Sequence, residues 1–334
     1  MKLLNYREHA AELVFIDEAF PFSFQKNYSA YVEHSGNSFF ILSNSNGCAP
    51  VIIKKNKFLI SLQFHFKPLG KDGEDLMGSD ESDFLNQALF FIREQKLAHR
   101  IVQSTNFSLF SAVPKDCTFA PYGSYVLDLK TVSNDTLLAR MQARYRTAIR
   151  ATQKLAPEIR TGPPELRPFW QLHQSTMNRT NMYVEPYDAI KSLSEICNTH
   201  ALIANCYINN QLQGGICIAY SGYGAYYLHG ASADTPLSDG AIKYLHYWCM
   251  CHLKEHGVAR YDFVGARLSD VSGTKLEGIQ NFKRRFGTGL KQGYLWKKDI
   301  SPFVCMAYDS LLLLKLALKQ KNMPQDIIDQ ERNH

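Results

Sequence analysis

Hydrophobic and polar residues alternate along short stretches in the first half of the chain, and turn-forming residues separate these stretches. Such alternation predicts half-buried strands, and the cluster Asn44-Ser45-Asn46-Gly47 predicts a turn between two of them. A broad apolar face at helical spacing predicts a helix later in this half. The predicted elements are helices at 6–17 and 83–95 and strands at 38–42, 50–53, 58–64 and 99–103.

The second half repeats this order of elements. Apolar residues recur at helical spacing on one face of 239–256, and the stretches before it alternate between apolar and polar positions. The predicted elements are helices at 164–180 and 239–256 and strands at 202–208, 212–220, 225–230 and 258–264. A repeated order of this kind predicts an α+β fold built from two tandem modules of similar plan.

Two further helices are predicted outside the repeat. One covers 135–155, between the modules, and the other covers 309–320, with Asp309 or Ser310 as its N-cap. The expected division of the chain follows from these elements. It is an N-terminal domain at 1–140, a C-terminal domain at 141–300, and a helical tail at 301–334 that packs on the body.

The element order of the second half resembles the GNAT acyltransferase core, so the expected fold is two tandem GNAT-like domains. In that fold a Gly-rich loop before the main helix cradles the pyrophosphate of coenzyme A. The corresponding loop here, 233–240, contains one Gly, one Pro and two Asp. Proline lacks an N–H donor, and two carboxylates repel a pyrophosphate. The sequence therefore predicts the fold without the usual coenzyme A signal, and no cofactor is expected.

Composition limits the function classes. With 334 residues, 45% hydrophobic and 12% aromatic, the chain is not a disordered or low-complexity sequence. Its eight cysteines include no C-x-x-C pair, which favours buried free thiols in a reducing compartment over a metal site. Neither a targeting segment nor an apolar run of ~20 residues is visible. We therefore expect a cytoplasmic protein without a bound metal.

The net charge of +6 is concentrated in two segments. Residues 140–160 hold six Lys/Arg against one Asp/Glu, and residues 275–298 hold seven against one. Arg146, Arg150 and Lys154 recur at i+4 in the first segment and share one helix face. This face predicts contact with phosphates, and a solvated basic surface is the alternative.

Two more segments suggest a cleft. Arg179 and Tyr183 lie near a predicted helix end, where a guanidinium and a hydroxyl suit a sugar phosphate. The alternative is a capping Arg and a half-buried Tyr. On the strand predicted at 225–230, alternation places Tyr226 with Leu228 on one face and Tyr227 with His229 on the other. One of the two tyrosines is expected to pack and the other to line the cleft.

The most specific segment combines Tyr261-Asp262-Phe263-Val264-Gly265 with Phe282-Lys283-Arg284-Arg285-Phe286-Gly287. Phe282 and Phe286 can anchor a short turn that holds Lys283 rigidly, and a cation held in this way can stabilise a developing oxyanion. A basic surface loop is the alternative. Asp262 is the nearest carboxylate in the motif and a candidate general base, with substrate-assisted proton transfer equally open.

Taken in order over 120–300, these segments resemble the FemABX family, the aminoacyltransferases that build peptidoglycan interpeptide bridges. The resemblance rests on the Arg146-to-Lys154 helix, the Thr176-x-x-Arg179 segment and the two parts of the Lys283 motif. It implies two GNAT-like domains with a cleft near their junction. It also implies an aminoacyl-tRNA donor and a UDP- or lipid-linked muropeptide acceptor. No long heptad run is present, so the chain is similar to members without a coiled-coil arm.

The resemblance also implies roles for individual residues. Lys283 is similar to the family lysine that stabilises the transition state, and Arg179 and Tyr183 to the pair that contacts the precursor's phosphates. A tyrosine of the Tyr226-Tyr227 strand lines the same site. Arg146, Arg150 and Arg285 belong to the basic segments and complete the set of candidate substrate-binding residues.

Two rival functions stay open at this point. One is a GNAT-like N-acyltransferase that uses acyl-CoA or an acyl carrier on an envelope sugar. The other is a non-catalytic module that binds RNA or a membrane surface. The apolar helix at 311–318 is expected to pack on the second module, with peripheral membrane contact as its alternative. DNA is not an expected partner.

Overall fold

The computed structural model describes residues 1–319 and 325–332, and within them the chain forms twelve strands and ten α-helices. The strands are β1 (Lys2–Leu4), β2 (Ser38–Ser43), β3 (Cys48–Lys55), β4 (Ile60–Phe64), β5 (Arg100–Val102), β6 (Thr118–Asp128), β7 (Glu158–Thr161), β8 (Ala201–Ile208), β9 (Gln211–Ser221), β10 (Gly224–Ser232), β11 (Arg260–Asp262) and β12 (Gly289–Asp299). The helices are α1 (Lys26–His34), α2 (Gly78–Glu94), α3 (Asn134–Arg140), α4 (Ala143–Gln153), α5 (Leu166–Arg179), α6 (Tyr187–Ile196), α7 (Ala241–Glu255), α8 (Lys275–Arg284), α9 (Pro302–Ala317) and α10 (Ile327–Arg332).

The predicted repeat of two α+β modules is confirmed. In the first module β2, β3 and β4 form an antiparallel meander, and β5 pairs parallel with β4 after the crossover through α2. In the second, β8, β9 and β10 form the same meander, and β11 pairs parallel with β10 after the crossover through α7. Both modules therefore have the same strand–helix–strand unit at the end of their meander.

Two long strands fuse the modules into one twelve-stranded sheet. The strand order is β1-β2-β3-β4-β5-β12-β6-β11-β10-β9-β8-β7. β12 pairs with β6 from Gly289↔Val126 to Lys297↔Thr118 and then with β5 at Lys298↔Ile101. Neither β6 nor β12 is predicted by the sequence pattern. β12, the last strand of the chain, lies between the two modules.

The core continues across the junction. One cluster of buried residues joins Phe22 and Phe66 of the first module to Cys217 and Tyr226 of the second. On the opposite face of the second module, α4 and α7 cover the meander, where Leu245 belongs to a separate cluster. The junction is therefore packed, and the residues at its edge are held between two sheet halves.

The helix predicted at 6–17 is wrong. A single 3₁₀ turn, Ala10–Leu13, lies there, and the first long helix is α1. The Asn5 side chain accepts hydrogen bonds from the backbone N–H groups of Arg7 and Glu8. This local turn competes with helix formation, and apolar spacing alone does not reveal it.

The helix predicted at 135–155 is interrupted between α3 and α4. Met141 and Gln142 are extended, with ψ of 152° and 147°. Met141 is buried, and the backbone N–H of Gln142 donates to the carbonyl of Arg285 at 3.0 Å. Burial of one side chain and docking against the end of α8 therefore outweigh helix continuity.

The tail differs from its prediction as well. α9 starts at Pro302, a residue that favours the first turn of a helix, rather than at Asp309 or Ser310. Gln320, the predicted end, lies outside the described residues. α10 packs against β6 through the buried Ile328. Among the described helices, none combines the length and apolar character needed to cross a membrane.

Candidate active site at the module junction

The loop after β11 opens the site. Parallel pairing of β10 and β11 ends at Tyr226↔Asp262, and the chain then turns through two left-handed residues, Val264 (φ 53°) and Gly265 (φ 79°). A β-branched residue is strained in this region, and such strain persists only where surrounding contacts hold it. Gly265 has to lack a side chain, because a Cβ would lie 2.6 Å from the Tyr122 hydroxyl.

Asp262 holds this loop. Its Oδ1 accepts from the backbone N–H of Val264 at 2.7 Å and from the Ser124 hydroxyl. The Ser124 hydroxyl in turn accepts from the N–H of Gly265 at 3.2 Å. Asp262 is only 7% exposed, and burial raises the pKa of its carboxyl. The carboxylate therefore organises the two left-handed residues, Val264 and Gly265, on which the site is built.

Lys283 reaches the same loop from the last turn of α8. Its ammonium donates to the carbonyl oxygens of Val264 at 2.5 Å and Gly265 at 2.7 Å. Burial lowers the pKa of Lys283 to about 8, although the nearby Asp262 carboxylate opposes this shift. An ammonium has three N–H donors, so two carbonyls leave one donor for a substrate oxygen.

The aromatic residues that flank Lys283 hold it in place. Phe286 is fully buried, 4.9 Å from the Phe263 ring and 5.2 Å from the Phe282 ring between centroids. The sequence predicts a short turn between these phenylalanines, whereas the structure has the end of a helix. In both arrangements the two rings fix the backbone that carries the ammonium.

A narrow cavity of about 30 Å³ lies beside Asp262, between the two modules. Asp75 from the loop before α2 is the centre of its charge network. Its carboxylate lies 2.7 Å from the Lys67 ammonium and 3.4 Å from the Lys291 ammonium, and it accepts from the Tyr223 hydroxyl. Burial alone raises the pKa of Asp75, but the two lysines outweigh it and bring the pKa to about 2.

The junction cavity carries more positive than negative charge. Arg260 stacks on the Tyr223 ring at 4.0 Å, which adds a third cation to Lys67 and Lys291. Asp75 and Asp262 are the carboxylates at this place. A surface of this composition attracts anionic groups. Its aromatic side chains lower the local dielectric constant, which strengthens the electrostatic attraction. The lining residues are Phe66, Lys67, Phe107, Leu109, Val126, Tyr223, Tyr226, Arg260, Asp262 and Lys291.

Of the two candidate tyrosines, Tyr226 lines the junction cavity and Tyr227 lies on the other face, against His246. The predicted alternation is wrong beyond this point. A β-bulge between Tyr227 and His229 shifts the register, so His229 faces His173 of α5 on the same side as Tyr226. A bulge inserts one residue, and simple alternation does not anticipate it.

Arg179, the last residue of α5, contacts the end of β10. The Arg179 guanidinium donates to the Ser232 carbonyl at 3.2 Å and lies 3.4 Å from the Asp234 carboxylate. Tyr183 is 74% exposed in the loop after α5. Lys275, at the start of α8, donates to the Thr180 carbonyl at 2.8 Å and ties this loop to the helix of Lys283.

The predicted basic face of α4 is not assembled for one ligand. Arg146 turns towards the break between α3 and α4, where it donates to the carbonyls of Ala139 and Met141. Arg150 is exposed. The Arg146 side chain therefore stabilises the break between α3 and α4, which the sequence did not predict.

A second basic pocket includes Arg285 and lies beside α8. Its volume is about 290 Å³, and it is lined by Arg144, Tyr145, Lys243, Gly278, Phe282 and Arg285. The Lys243 ammonium lies over the Tyr145 ring at 5.4 Å. Burial lowers the pKa of Lys243, and the neighbouring cations Arg144 and Arg285 lower it further. We call this the α8 pocket.

Two backbone N–H groups of the loop before α7 already have partners within the protein. The N–H of Leu237 donates to the Gln213 side chain at 2.6 Å, and that of Gly240 donates to the Ser238 hydroxyl at 3.2 Å. α4 lies directly against this loop, because a Cβ on Gly240 would be 2.4 Å from the Ala148 carbonyl. These two N–H groups are therefore engaged within the protein.

Sequence reasoning missed most of the junction residues. Arg260 directly precedes the Tyr261-Asp262 motif and was within reach of the pattern. Lys67 and Asp75 lie in the same segment between β4 and α2, whereas Lys291 lies on β12, and the position of β12 between the modules brings it beside them. Ser124 lies on β6, which the pattern did not predict.

Comparison with known proteins agrees with this architecture. A family model described as an acetyltransferase (GNAT) domain matches residues 139–284. The crystal structure of FemX superposes with a TM-score of 0.67 at 14% identity, covering 89% of this chain and 97% of that one. No curated protein matches the sequence.

Two structures of lysylphosphatidylglycerol synthetases are similar as well. The C-terminal domain assigned to one from Agrobacterium fabrum has a TM-score of 0.55 at 16% identity, covering 92% of this chain and 96% of that one. L-PGS from Bacillus licheniformis has a TM-score of 0.52 at 15% identity, covering 81% and 86%. The chain therefore carries a GNAT acyltransferase domain at 139–284, and as a whole it has the FemX-like fold of two tandem GNAT modules.

Proposed function

We propose that this protein is an aminoacyltransferase that moves an aminoacyl group from aminoacyl-tRNA to an amine of a cell-wall or envelope precursor. A UDP- or lipid-linked muropeptide is the acceptor class we favour. The observation that carries the proposal is the Lys283 ammonium, fixed by two carbonyls of a strained loop with one donor left. The fold shared with FemX and with lysylphosphatidylglycerol synthetases supports it.

The proposed reaction is aminolysis of an ester. The acceptor nitrogen attacks the aminoacyl carbonyl, a C–N bond forms, and the C–O bond to the tRNA ribose breaks. Lys283 donates its third hydrogen bond to the oxyanion that develops on the carbonyl oxygen. The attacking amine loses a proton, and the leaving ribose hydroxyl takes one up. Since Oδ1 of Asp262 already accepts two hydrogen bonds, we assign that carboxylate to positioning and leave proton transfer to the substrates.

The junction cavity suits the acceptor. Lys67, Lys291 and Arg260 supply the positive charge that a precursor phosphate requires, and they surround a space too small for the whole molecule. We therefore place the phosphates at the rim of this cavity, beside Lys291 and Arg260. Arg179 and Tyr183 are further phosphate contacts at the end of β10.

The α8 pocket suits the donor. Phe282 lines this pocket, and Lys283 is the next residue of α8. We place the tRNA end in the pocket, with the acyl ester extending past α8 towards the ammonium. Arg144, Lys243 and Arg285 are three cations for the phosphates of a tRNA end.

Acyl-CoA is the less favoured donor. The backbone donors of Leu237 and Gly240 are engaged within the protein, and α4 lies against the place where a pyrophosphate would sit. Because the family model that matches is described as an acetyltransferase, acetyl-CoA belongs in the test as a competing donor.

A transfer assay tests the proposal. Purified protein receives a mixture of radiolabelled aminoacyl-tRNAs or labelled acetyl-CoA, and mass spectrometry follows a UDP-linked muropeptide. We expect transfer from tRNA, and about 10²–10³-fold slower transfer after Lys283→Met, the usual cost of removing one oxyanion donor. The matched control is Lys130→Met, an exposed lysine in the loop after β6. Transfer from acetyl-CoA alone, or a Lys283→Met variant within about twofold of wild type, contradicts the proposal.

A further inference from the structure

α9 presents a broad apolar side to solvent. Eleven of its sixteen residues are exposed, and Lys315 is the one charged residue among them. In the part of the chain that the structure describes, Cys305 is the one buried residue of this helix. A surface helix that packs on its own protein shows the reverse pattern, with the apolar side inward. The exposed apolar residues are Phe303, Val304, Met306, Leu311, Leu313 and Leu314, and Leu318 follows the last turn.

The inner side of α9 carries its polar contacts. Asp309, the acidic residue of the helix, forms an ion pair with Arg100 at 2.7 Å and is half-buried. The Cys305 thiol lies 3.3 Å from the His99 carbonyl. These contacts fix the helix to the first module, so the prediction that it packs on the second module is wrong. Leu311, Leu313 and Leu314 are exposed to solvent.

The tip of the β3–β4 hairpin extends the same surface. Phe58 is exposed there, and it lines an apolar groove of about 390 Å³ together with Tyr308, Leu311 and Leu312 of α9. Lys57 and Lys315 stand at the two rims of this groove. The apolar surface therefore consists of two elements held side by side.

Lysines surround this apolar surface. Lys54, Lys55 and Lys57 lie at the hairpin tip, and Lys315 and Lys319 lie at the end of α9, all of them exposed. Within the described residues none of these five lysines makes an ion pair. An apolar helix face with unpaired lysines at its edge is the composition of elements that lie in the surface of an anionic bilayer.

We infer that α9 and the β3–β4 tip form a docking surface for an anionic phospholipid bilayer. The leucines and Phe58 enter the boundary between headgroups and acyl chains, while the lysines contact lipid phosphates. The charge decides between this occupant and a second copy of the chain, because an isologous contact would bring the same lysines of both copies together. This surface does not contribute to the Lys283 site, so the inference is independent of the proposed function.

Vesicle co-sedimentation tests the inference. The full chain is mixed with phosphatidylcholine vesicles that contain about 30% phosphatidylglycerol, or with phosphatidylcholine alone. We expect binding to the anionic vesicles at least about tenfold stronger, and a decrease with added salt. The variant Leu311→Gln/Leu314→Gln/Leu318→Gln should lose about 100-fold or more in affinity. Lys57→Gln/Lys315→Gln should bind more weakly and with a smaller salt dependence.

Matched controls separate binding from misfolding and from self-association. Leu155→Gln removes an exposed leucine just after α4 and should bind like wild type. Circular dichroism should be unchanged in every variant, since the substituted side chains point outward. Light scattering should show a monomer for wild type and for the triple variant. A wild-type dimer that the triple variant dissociates, or wild-type protein that stays in the supernatant with anionic vesicles, overturns the inference.

Discussion

The two modules contain the same parallel strand pair and use it differently. In the second module the chain leaves β11 through Val264 and Gly265, and it carries an ammonium and a carboxylate at that point. In the first module the chain leaves β5 into residues 103–110, which contain no charged residue. Phe107 and Leu109 of that segment line the junction cavity. The second module therefore carries the candidate catalytic residues, and the first module supplies side chains that line the adjacent cavity.

The charges of the junction show what the first module adds. Lys67 and Asp75 come from its loops, whereas Lys291 and Arg260 belong to the second module. Neither module alone assembles this group. The comparison indicates that two modules of the same fold do not each contain a site. The charged site lies at their junction, where the shared sheet brings residues of both modules together.

The largest expected effect comes from the strained loop itself. Gly265→Ala adds a Cβ 2.6 Å from the Tyr122 hydroxyl, at a backbone conformation with φ of 79°. Displacement of the loop moves the carbonyls that orient Lys283, and we expect kcat to fall about 100-fold. The measurement is steady-state transfer together with a thermal melt.

Gly257→Ala is the matched control for this substitution. Gly257 has nearly the same φ, 78°, but its Cβ would meet no atom within 4 Å. It should lose about 1 kcal/mol of stability and keep its kcat. Equal losses of activity in the two variants would show that backbone strain alone, rather than the Lys283 loop, sets the rate.

The second prediction concerns the contribution of the first module. Asp75 has a pKa of about 2 in the folded protein against an ordinary value of 3.8. A carboxyl pKa that is lower in the folded than in the unfolded protein stabilises the fold at pH values above the ordinary pKa. This stabilisation is lost as the pH falls towards 2. Asp75→Asn should therefore lose about 2 kcal/mol or more at neutral pH, because it leaves Lys67 buried beside Lys291 without a counter-charge.

Urea melts at pH 7 and pH 3 check this prediction. The difference in stability between wild type and Asp75→Asn should be large at pH 7 and should shrink at pH 3. The double variant Lys67→Met/Asp75→Asn should recover part of the loss, since no buried charge stays unpaired. A difference that is the same at both pH values would contradict an electrostatic role.

The third prediction tests whether Asp262 positions Lys283 or acts as a base. The Asp262 carboxylate raises the pKa of Lys283 against the effect of burial. With a pKa of about 8, roughly nine in ten ammonium groups are protonated at pH 7 and one in ten at pH 9, so transfer should decline through pH 8. Asp262→Asn removes the charge, and the declining limb should move to lower pH with about a tenfold fall in kcat.

Asp270→Asn serves as the control, because Asp270 is an exposed carboxylate of the same loop. It should leave the pH profile unchanged. A fall in kcat far greater than tenfold in Asp262→Asn, with the declining limb of the remaining activity unshifted, would identify Asp262 as the base instead.

The sequence predicted the repeat because each meander, crossover helix and return strand has its own local pattern. It predicted the Lys283 motif because Phe282, Lys283 and Phe286 are close in the chain. It could not predict Lys291 beside Lys67 and Asp75, since that contact depends on β12 crossing between the modules. The β-bulge at Tyr227 and the break at Met141 follow from tertiary packing, which periodicity does not report.

The smallest expected effects separate two kinds of arginine in the basic segment. Arg144 lines the α8 pocket, whereas Arg146 donates to the carbonyls of Ala139 and Met141. Arg144→Ala should raise KM for aminoacyl-tRNA about fivefold with unchanged kcat, because it removes one phosphate contact of the donor. Arg146→Ala should instead cost about 1 kcal/mol in a urea melt and leave KM unchanged, since it loses hydrogen bonds that join α3 to α4. The reverse result would mean that the break between these helices, and not the α8 pocket, faces the donor.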